Sequence, residues 1–253
     1  MILLFDVGNT SCKWRLMFGD FLVCFGRDLV VGDIDFPVLI QRHISRMGFV
    51  GRLRIVVSSV ASDEQNTALY QYLQSTFGIC AEFVVVLRDF VGVRAAYGEL
   101  ANLGVDRWLA MIAAYNEFKT SCLVVDAGTA ITIDVLGDDG RHLGGMIAPG
   151  LNLVGGALYS NTAKVKFDGV NFNPGSNLGE STAECVNLGV SMMVDGFVNS
   201  ALRRWCTEAS VVIWSGGDGK KLFDGCDHEV GMHCIRESLV FDGLLIWADI
   251  TAS

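Results

Sequence analysis

Two stretches of sequence decide the fold: Leu3-Leu-Phe-Asp-Val-Gly-Asn-Thr10 and Leu123-Val-Val-Asp-Ala-Gly-Thr-Ala130. In each, an apolar run of strand length ends in an aspartate, a glycine and a polar residue, and an alternating segment follows. After the first stretch, Lys13 and Arg15 fall on the face opposite to their apolar neighbours. This pattern predicts a strand, a tight polar turn and an antiparallel return strand. The two aspartates lie 120 residues apart in a chain of 253, so the repeat predicts two related lobes that open with the same hairpin.

Composition excludes several classes of protein. Apolar residues make up 51% of the chain and charged residues 19%, which excludes intrinsic disorder. A net charge of −9 disfavours nucleic acid as the main partner, because a polyanion would be repelled. The mean hydropathy of +0.41 is high, yet no apolar run is long enough for a membrane span, and 1–5 lacks the basic residues of a signal peptide. We therefore expect a soluble, cytoplasmic protein without a membrane partner.

The cysteine pattern agrees with a reducing compartment. Eight cysteines are scattered without a Cys-x-x-Cys pair, and several lie in apolar runs, where a thiol acts as a small hydrophobic group. A zinc site at Cys226, His228, His233 and Cys234 is the alternative for one local cluster. Its histidines are five residues apart, which does not fit His-Glu-x-x-His, so we favour a loop that leads into a strand.

Hydrophobic periodicity predicts further elements along the chain. Apolar runs predict strands at 53–57, 83–87, 211–214 and 239–240, and a turn-rich strand at 144–150. Spacings of three and four predict helices at 63–77, from about 104 onward, through 190–205 and at the C-terminal end. Ser181-Thr-Ala-Glu184 fits a capping box, which predicts the start of the long helix.

The two hairpin turns are candidate phosphate sites. Glycine lets backbone amides approach an anion, the neighbouring Asn and Thr can donate hydrogen bonds, and the aspartates can hold Mg²⁺ through its water shell. Lys13 would add positive charge beside a transferring phosphoryl group. Two such turns facing each other would hold a nucleotide polyphosphate between the lobes. The alternative is that Asp6 and Asp126 only form Asx-turns in ordinary hairpins.

The segment Gly104-Val-Asp-Arg-Trp108 is a second candidate site, at the start of a predicted helix. Asp106 there suits the helix dipole, and simple helix-start chemistry would account for it. Arg107 opposes the dipole, so we expect it to have an anionic partner. Asp106 as a general base with Arg107 orienting an acidic substrate forms a coherent site. Thr182 lies inside the capping sequence, which explains a hydroxyl there without a ligand.

With these residues together, the sequence resembles the type III pantothenate kinases, small members of the superfamily of acetate and sugar kinases, actin and the large heat-shock chaperones. Three motifs, in this order and at these spacings, make the resemblance specific: Asp6-Val-Gly-Asn-Thr-Ser-Cys-Lys13, Leu103-Gly-Val-Asp-Arg-Trp-Leu-Ala110 and Asp126-Ala-Gly-Thr-Ala-Ile-Thr132. It extends over nearly the whole chain through Ser58-Ser-Val60, Tyr97, Gly144-Gly-Met-Ile-Ala-Pro-Gly150, Asn161-Thr-Ala163, Ser181-Thr182, Ser215-Gly-Gly-Asp218 and Leu239-Val-Phe-Asp-Gly243.

The resemblance implies an α/β fold of two ribonuclease H-like lobes, residues 1–117 and 118–253, with ATP in the cleft between them. It implies ATP-dependent phosphorylation of pantothenate to 4'-phosphopantothenate, the first step of coenzyme A biosynthesis. ATP would act with Mg²⁺ or another divalent ion, and potassium or ammonium would be required. Family members form homodimers, and the apolar stripe Val190 to Trp205 is long enough to contribute to such an interface.

The resemblance also implies a role for each motif residue. The ATP-binding residues would be Asp6, Val7, Gly8, Asn9, Thr10, Ser11, Cys12, Lys13 and Thr129. Asp106 would accept the proton of the attacking hydroxyl, and Asp126 would hold the monovalent cation. Pantothenate would be bound by Tyr97, Gly104, Val105, Asp106, Arg107 and Thr182.

The sequence departs from the family pattern at three positions, and two other functions are alternatives to the one the resemblance implies. Leu100 and Ser238 replace common prolines and Ser215 a common threonine, which affects loop geometry but no predicted catalytic group. A sugar kinase, or a phosphatase acting on polyphosphate chains, is a rival that the Gly-x-Asp-Arg-Trp motif and Tyr97 argue against. An accessory factor for transcription is a second rival, and the retained Asp6, Lys13 and Asp106 argue against it.

Overall fold

The computed structural model describes residues 1–28, 36–46, 51–160, 169–175, 177–208, 210–226 and 230–252. Two features of the sequence lie outside these residues: the Asn161-Thr-Ala163 motif and His228.

The first half of the chain forms a five-stranded mixed sheet with strand order β3-β2-β1-β4-β5. Its antiparallel hairpin places Phe5 opposite Trp14 and Asp6 opposite Lys13. On its other side β1 pairs with β4 in parallel, which brings Ser58 beside Asp6. The elements are β1 Ile2–Val7, β2 Cys12–Phe18, β3 Phe21–Asp28, α1 Phe36–Arg46, β4 Arg54–Ser59, α2 Asp63–Phe77 and β5 Glu82–Phe83.

The connection to the second half contains a small hairpin, a 3₁₀ helix and a long α-helix. The hairpin strands β6 and β7 form a separate two-stranded sheet. Gly104 precedes the α-helix, and its carbonyl accepts the backbone amide of Trp108 at 3.1 Å. The elements are β6 Asp89–Phe90, β7 Val93–Arg94, the 3₁₀ helix Leu100–Asn102 and α3 Val105–Phe118.

The second half repeats the first sheet in the order β10-β9-β8-β11-β12. Both sheets have two antiparallel pairings on one side of the central strand and two parallel pairings on the other. The repeat seen in the sequence is therefore a repeat of topology. The elements are β8 Cys122–Ala127, β9 Ala130–Leu136, β10 His142–Pro149, α4 Leu151–Ser160, α5 Thr182–Trp205, β11 Val211–Ser215, α6 Gly219–Gly225, β12 Met232–Ile235 and α7 Leu239–Thr251.

Contacts divide the chain into two compact units. Unit 1 contains 1–88, 97–113 and 240–253, and unit 2 contains 89–96 and 114–239. The division within α3 lies four residues before the boundary expected at 117/118, and α7 groups with the first half of the chain. The physical reason is that α7 packs on unit 1: the Arg54 guanidinium donates to the Ala248 carbonyl at 2.5 Å and also binds Glu82 at 2.7 Å.

Gly243 allows α7 to approach α3 closely. A Cβ at this position would overlap the Leu109 carbonyl and lie 2.9 Å from the Leu109 Cβ. We expect Gly243→Ala to lower the free energy of unfolding by about 1–3 kcal/mol, because the two helices must separate. Gly189→Ala on α5 is the matched control, since nothing lies within 4 Å of its Cβ, and we expect it to stabilise by up to about 1 kcal/mol. Denaturant unfolding of both variants measures the difference, and equal stabilities would contradict the close packing at Gly243.

Most of the predicted elements are confirmed, and two are wrong. The helix at 63–77 and the capping box of α5, with Ser181 as its N-cap, are as predicted. The strand predicted at 83–87 ends at Phe83, because Val85 and Leu87 are exposed and the run is not buried on both faces. The strand predicted at 239–240 is the first turn of α7, since a short apolar run is compatible with either structure.

The core of unit 2 lies between its sheet and α5. Val194 and Val198 on α5 pack with Trp214 on β11 and Leu123 on β8, all nearly inaccessible to solvent. By length and composition, α5 is the one helix within the described part of the chain that could cross a membrane. Its most apolar window is 44% buried inside the structure, and one such helix is weak evidence for a membrane span.

The cysteines in the structure are free thiols. Burial raises the pKa of Cys122 to about 12, and burial also raises the pKa of Cys234. A thiol with a raised pKa is a poor nucleophile, as expected for a small hydrophobic group. In the cluster considered for zinc, Cys234 and His233 lie on β12, and the His233 Nδ1 accepts the Trp214 indole N–H at 3.2 Å. Among the described residues, no group of three metal-ligating side chains occurs.

Candidate active site

The first predicted phosphate turn closes the β1–β2 hairpin. Its ends are the paired residues Val7 and Cys12, and the Gly8 amide donates to the Ser11 carbonyl at 3.0 Å. Asn9 and Thr10 form the exposed tip. The turn therefore presents polar side chains to solvent while its backbone is fixed by the hairpin.

A carboxylate and an ammonium group lie beside this turn. The Lys13 Nζ is 4.0 Å from Asp6 Oδ2, and the Lys13 side chain is 41% exposed against 16% for Asp6. Two residues along β2, the Arg15 guanidinium stacks 4.5 Å from the centre of the Phe241 ring. Burial lowers the pKa of Arg15, and the charge of Asp242 partly opposes this shift. Lys13 is thus the more accessible cation at this end of β2.

The second predicted turn, between β8 and β9, is fixed by hydrogen bonds from later elements. The Gly128 amide donates to the Ala130 carbonyl at 2.9 Å, and Thr129 is exposed. The Thr129 carbonyl accepts the Gly150 amide at 2.9 Å, and the Ala127 carbonyl accepts the Asp218 amide at 2.9 Å. Gly150 and Asp218, which lie far downstream in the sequence, therefore hold this turn in place.

Asp126, the predicted cation ligand, lies at the end of β8 opposite Ser215 on β11. Gly216 follows with a φ of +83°, a left-handed conformation that favours glycine. A Cβ on Gly216 would overlap both Asp126 Oδ1 and the Ala127 carbonyl. Because glycine has no side chain, Asp126 Oδ1 and the Ala127 carbonyl oxygen can lie close to the backbone of Gly216.

The predicted base lies at the start of α3. Asp106 Oδ1 accepts the Arg107 backbone amide at 2.7 Å, so the carboxylate folds back on the first turn of its own helix. A Cβ on Gly104 would lie 2.5 Å from the same oxygen. Gly104 therefore makes room for the carboxylate. Val105 is buried, with 8% of its surface exposed, and anchors the helix start.

Arg107 and Tyr97 contact each other. The Arg107 Nη1 donates to the Tyr97 hydroxyl at 3.1 Å, and its guanidinium lies 5.9 Å from the centre of the tyrosine ring. Arg107 is only 7% exposed, so its charge is nearly enclosed. Unit 1 thus contains five of the predicted pantothenate-binding residues: Tyr97, Gly104, Val105, Asp106 and Arg107.

The remaining predicted site residues belong to unit 2. Thr182 is the exposed first residue of α5, next to the N-cap Ser181, whose side chain accepts the Glu184 amide. Its hydroxyl is therefore not the capping group. Thr129 and Asp126 are also in unit 2, on the β8–β9 hairpin.

Two contacts at the site have no local signal in the sequence. Arg88 donates to the main chain of the Tyr97 segment, and Gly216 lies against Asp126. The contact at Gly216 depends on the pairing of β8 with β11, which no short pattern encodes. Arg88 stands in an irregular segment that the sequence analysis assigned to no element.

Solved structures share this fold at low sequence identity. A conserved protein of Campylobacter jejuni, provisionally named a Baf family transcriptional activator, is 20% identical with a TM-score of 0.59, covering 99% of this chain and 98% of the other. A Sinorhizobium meliloti protein provisionally named a 2-dehydro-3-deoxygalactonokinase is 14% identical with a TM-score of 0.58, covering 99% of both chains. The predicted α/β fold, with the same strand order in both halves of the chain, is confirmed.

Relatives with higher sequence identity identify the family of this chain. A protein of Pseudomonas putida named type III pantothenate kinase is 34% identical over 86% of this chain and 88% of its own. Proteins with the same name from Pseudomonas paraeruginosa and Marinobacter nauticus are 32% and 33% identical, and each match covers 96% or more of both chains. The model of the type III pantothenate kinase family matches residues 2–204. The chain, with both aspartate hairpins and the Asp106–Arg107 pair in place, belongs to the type III pantothenate kinase family.

Proposed function

We propose that the protein phosphorylates the hydroxyl group of pantothenate with ATP and a divalent metal ion, giving 4'-phosphopantothenate in the first step of coenzyme A biosynthesis. The observation that carries this proposal is the family match over 2–204, which includes the hairpin turn at 8–11 and the Asp106–Arg107 pair. A kinase of this family acts on a small molecule.

Asp106 is the residue that receives the proton of the attacking hydroxyl. Its Oδ1 accepts the Arg107 amide at 2.7 Å, which fixes the carboxylate at the start of α3. Because phosphoryl transfer has a loose transition state, a carboxylate that orients the hydroxyl suffices and a strong base is not needed. Arg107 and Tyr97 hold the acceptor, with the guanidinium directed at the pantothenate carboxylate.

The β1–β2 turn is the phosphate-binding element in this proposal. The exposed side chains of Asn9 and Thr10 supply donors, and Lys13 supplies charge. The hydrogen bond from the Gly8 amide to the Ser11 carbonyl holds the turn in shape. Asp6 fits a divalent ion held through its water shell, since a carboxylate oxygen is a preferred ligand. When bound, the ion neutralises charge on the phosphates, while Lys13 and the turn orient them.

Three finer features complete the proposal. Asp126 holds potassium or ammonium, and the absence of a side chain at Gly216 makes room for the Asp126 carboxylate itself. Thr129, also in unit 2, contributes to nucleotide binding. The protein acts as a cytoplasmic homodimer without a nucleic-acid or membrane partner. Most of the stripe Val190 to Trp205 packs in the core of unit 2 and is not available for an interface. The exposed Met192, Met193 and Trp205 on α5 support an interface between two copies. Thr182 binds pantothenate.

ADP release by the purified protein tests the proposal. The assay contains ATP, Mg²⁺ and pantothenate, and is run in potassium buffer and again in sodium buffer. We expect pantothenate-dependent turnover in potassium that collapses in sodium. Equal turnover in both salts would support the kinase activity and exclude the monovalent-cation site at Asp126. No turnover by folded protein in either buffer would exclude pantothenate as the substrate.

A further inference from the structure

Arg88 stands where the chain leaves unit 1. The next eight residues, 89–96, belong to unit 2, and the chain returns to unit 1 at Tyr97. The Arg88 Nη1 donates to the Tyr97 carbonyl at 2.5 Å, and its Nη2 donates to the Gly98 carbonyl at 2.8 Å. The Arg88 side chain thus connects the residue before the segment 89–96 to Tyr97, the first residue after it.

The excursion itself is anchored within unit 2. The Arg94 amide donates to the Gly140 carbonyl at 3.0 Å, and Arg94 forms a parallel bridge with Arg141. A Cβ on Gly92 would lie 3.2 Å from the Tyr115 ring, so the hairpin is packed as well as hydrogen-bonded. The β6–β7 hairpin, which directly precedes Tyr97 in the sequence, is therefore fixed by contacts with Tyr115, Gly140 and Arg141.

Tyr97 is held at both ends. Its main chain is bound by Arg88, and its hydroxyl accepts the nearly buried Arg107 Nη1 at 3.1 Å. If the main chain moved, the phenol would leave Arg107 unless χ1 departed from its staggered rotamer, because rotation about χ2 leaves the hydroxyl oxygen on the ring axis. We propose that Arg88 is a positioning residue for the acceptor substrate, which fixes the Tyr97 main chain so that Tyr97 and Arg107 act together. This inference rests on the proposed function.

The chemistry of the contact requires arginine. A planar guanidinium presents parallel N–H groups that match two adjacent carbonyls, whereas a lysine ammonium is a point donor without that fork. Arg88 is exposed, so its loss leaves no enclosed charge. We therefore expect substitution to loosen the Tyr97 segment while the rest of the fold is retained.

The test compares Arg88→Met, Arg88→Lys and a control, Arg52→Met, which replaces another exposed arginine of unit 1. We expect Arg88→Met to raise the KM for pantothenate about tenfold, as for loss of a charged hydrogen bond, with little change in the KM for ATP. The KM of Arg88→Lys for pantothenate should lie between those of wild type and Arg88→Met. The KM of Arg52→Met should equal that of wild type. Amide hydrogen exchange over 97–103 should be faster in Arg88→Met alone.

The outcomes separate this inference from the proposed function. An unchanged KM for pantothenate, or equal rises in both KM values, would overturn the role of Arg88 while wild-type turnover still supported the kinase. If wild type acted only on another alcohol, the proposed function would fail. Arg88 would then be judged by the same KM comparison with that alcohol and by the exchange rate over 97–103.

Discussion

Asp106→Asn is expected to lower turnover with saturating pantothenate and ATP by about 10²–10⁴-fold, the usual effect of removing a positioned general base. The substitution is nearly isosteric, and the asparagine carbonyl oxygen can still accept the Arg107 amide that Asp106 Oδ1 accepts at 2.7 Å. Folding should therefore be unaffected. The measurement is ADP release at saturating substrates, together with the thermal midpoint of unfolding.

A matched control exists on another helix of unit 1. Asp63 lies in the first turn of α2, as Asp106 does in α3, but it is exposed and far from the Tyr97 cluster in sequence. Asp63→Asn should leave turnover unchanged. If Asp106→Asn kept most of the wild-type turnover, Asp106 would not be the proton acceptor.

The second large effect is expected at Arg107. Arg107→Met should raise the KM for pantothenate by about 10- to 150-fold, because hydrogen bonds to a charged group contribute about 1.5–3 kcal/mol. Methionine retains most of the apolar stem, which matters because Arg107 is only 7% exposed. The KM for ATP should change little, and initial rates at varied pantothenate measure the difference.

Two further variants make this result interpretable. Tyr97→Phe removes the hydroxyl that Arg107 binds at 3.1 Å, and a double-mutant cycle with Arg107→Met reports their coupling. Arg107→Lys keeps the charge but loses the planar fork, so it should recover part of the affinity. A variant Arg107→Met that lost thermal stability yet kept the wild-type KM for pantothenate would assign Arg107 a structural role only.

Local patterns in the sequence were sufficient for the hairpins and most helices. The alternation from Cys12 to Leu16 follows directly from burial of one sheet face, and α2 carries its own start signal at Ser62. Both hairpin turns are short-range structures, so the positions of Asp6 and Asp126 were predictable. The chemistry at α3 was predictable for the same reason, since Gly104, Asp106 and Arg107 are neighbours in one turn.

Long-range contacts were not predictable in this way. The need for glycine at 216 arises because β11 pairs with β8, whose residues lie about 90 positions earlier. The apolar run that contains Val85 and Leu87 predicts a buried strand, yet both side chains are exposed. Their exposure depends on which other elements cover this edge of the sheet. The contact of Arg88 with Tyr97 requires the excursion of 89–96 to be placed first.

The membership of α7 in unit 1 has a consequence for synthesis on the ribosome. Residues 240–253 emerge after all of unit 2, yet they complete the unit whose sheet emerges before it. Unit 2 ends at Leu239, so its residues are all available before unit 1 acquires Gly243 and the carbonyl that Arg54 binds. The nascent chain must therefore carry an incomplete first unit until α7 has left the exit tunnel. A nascent chain held with residues 240–253 inside the exit tunnel would display a folded second unit and an open first one.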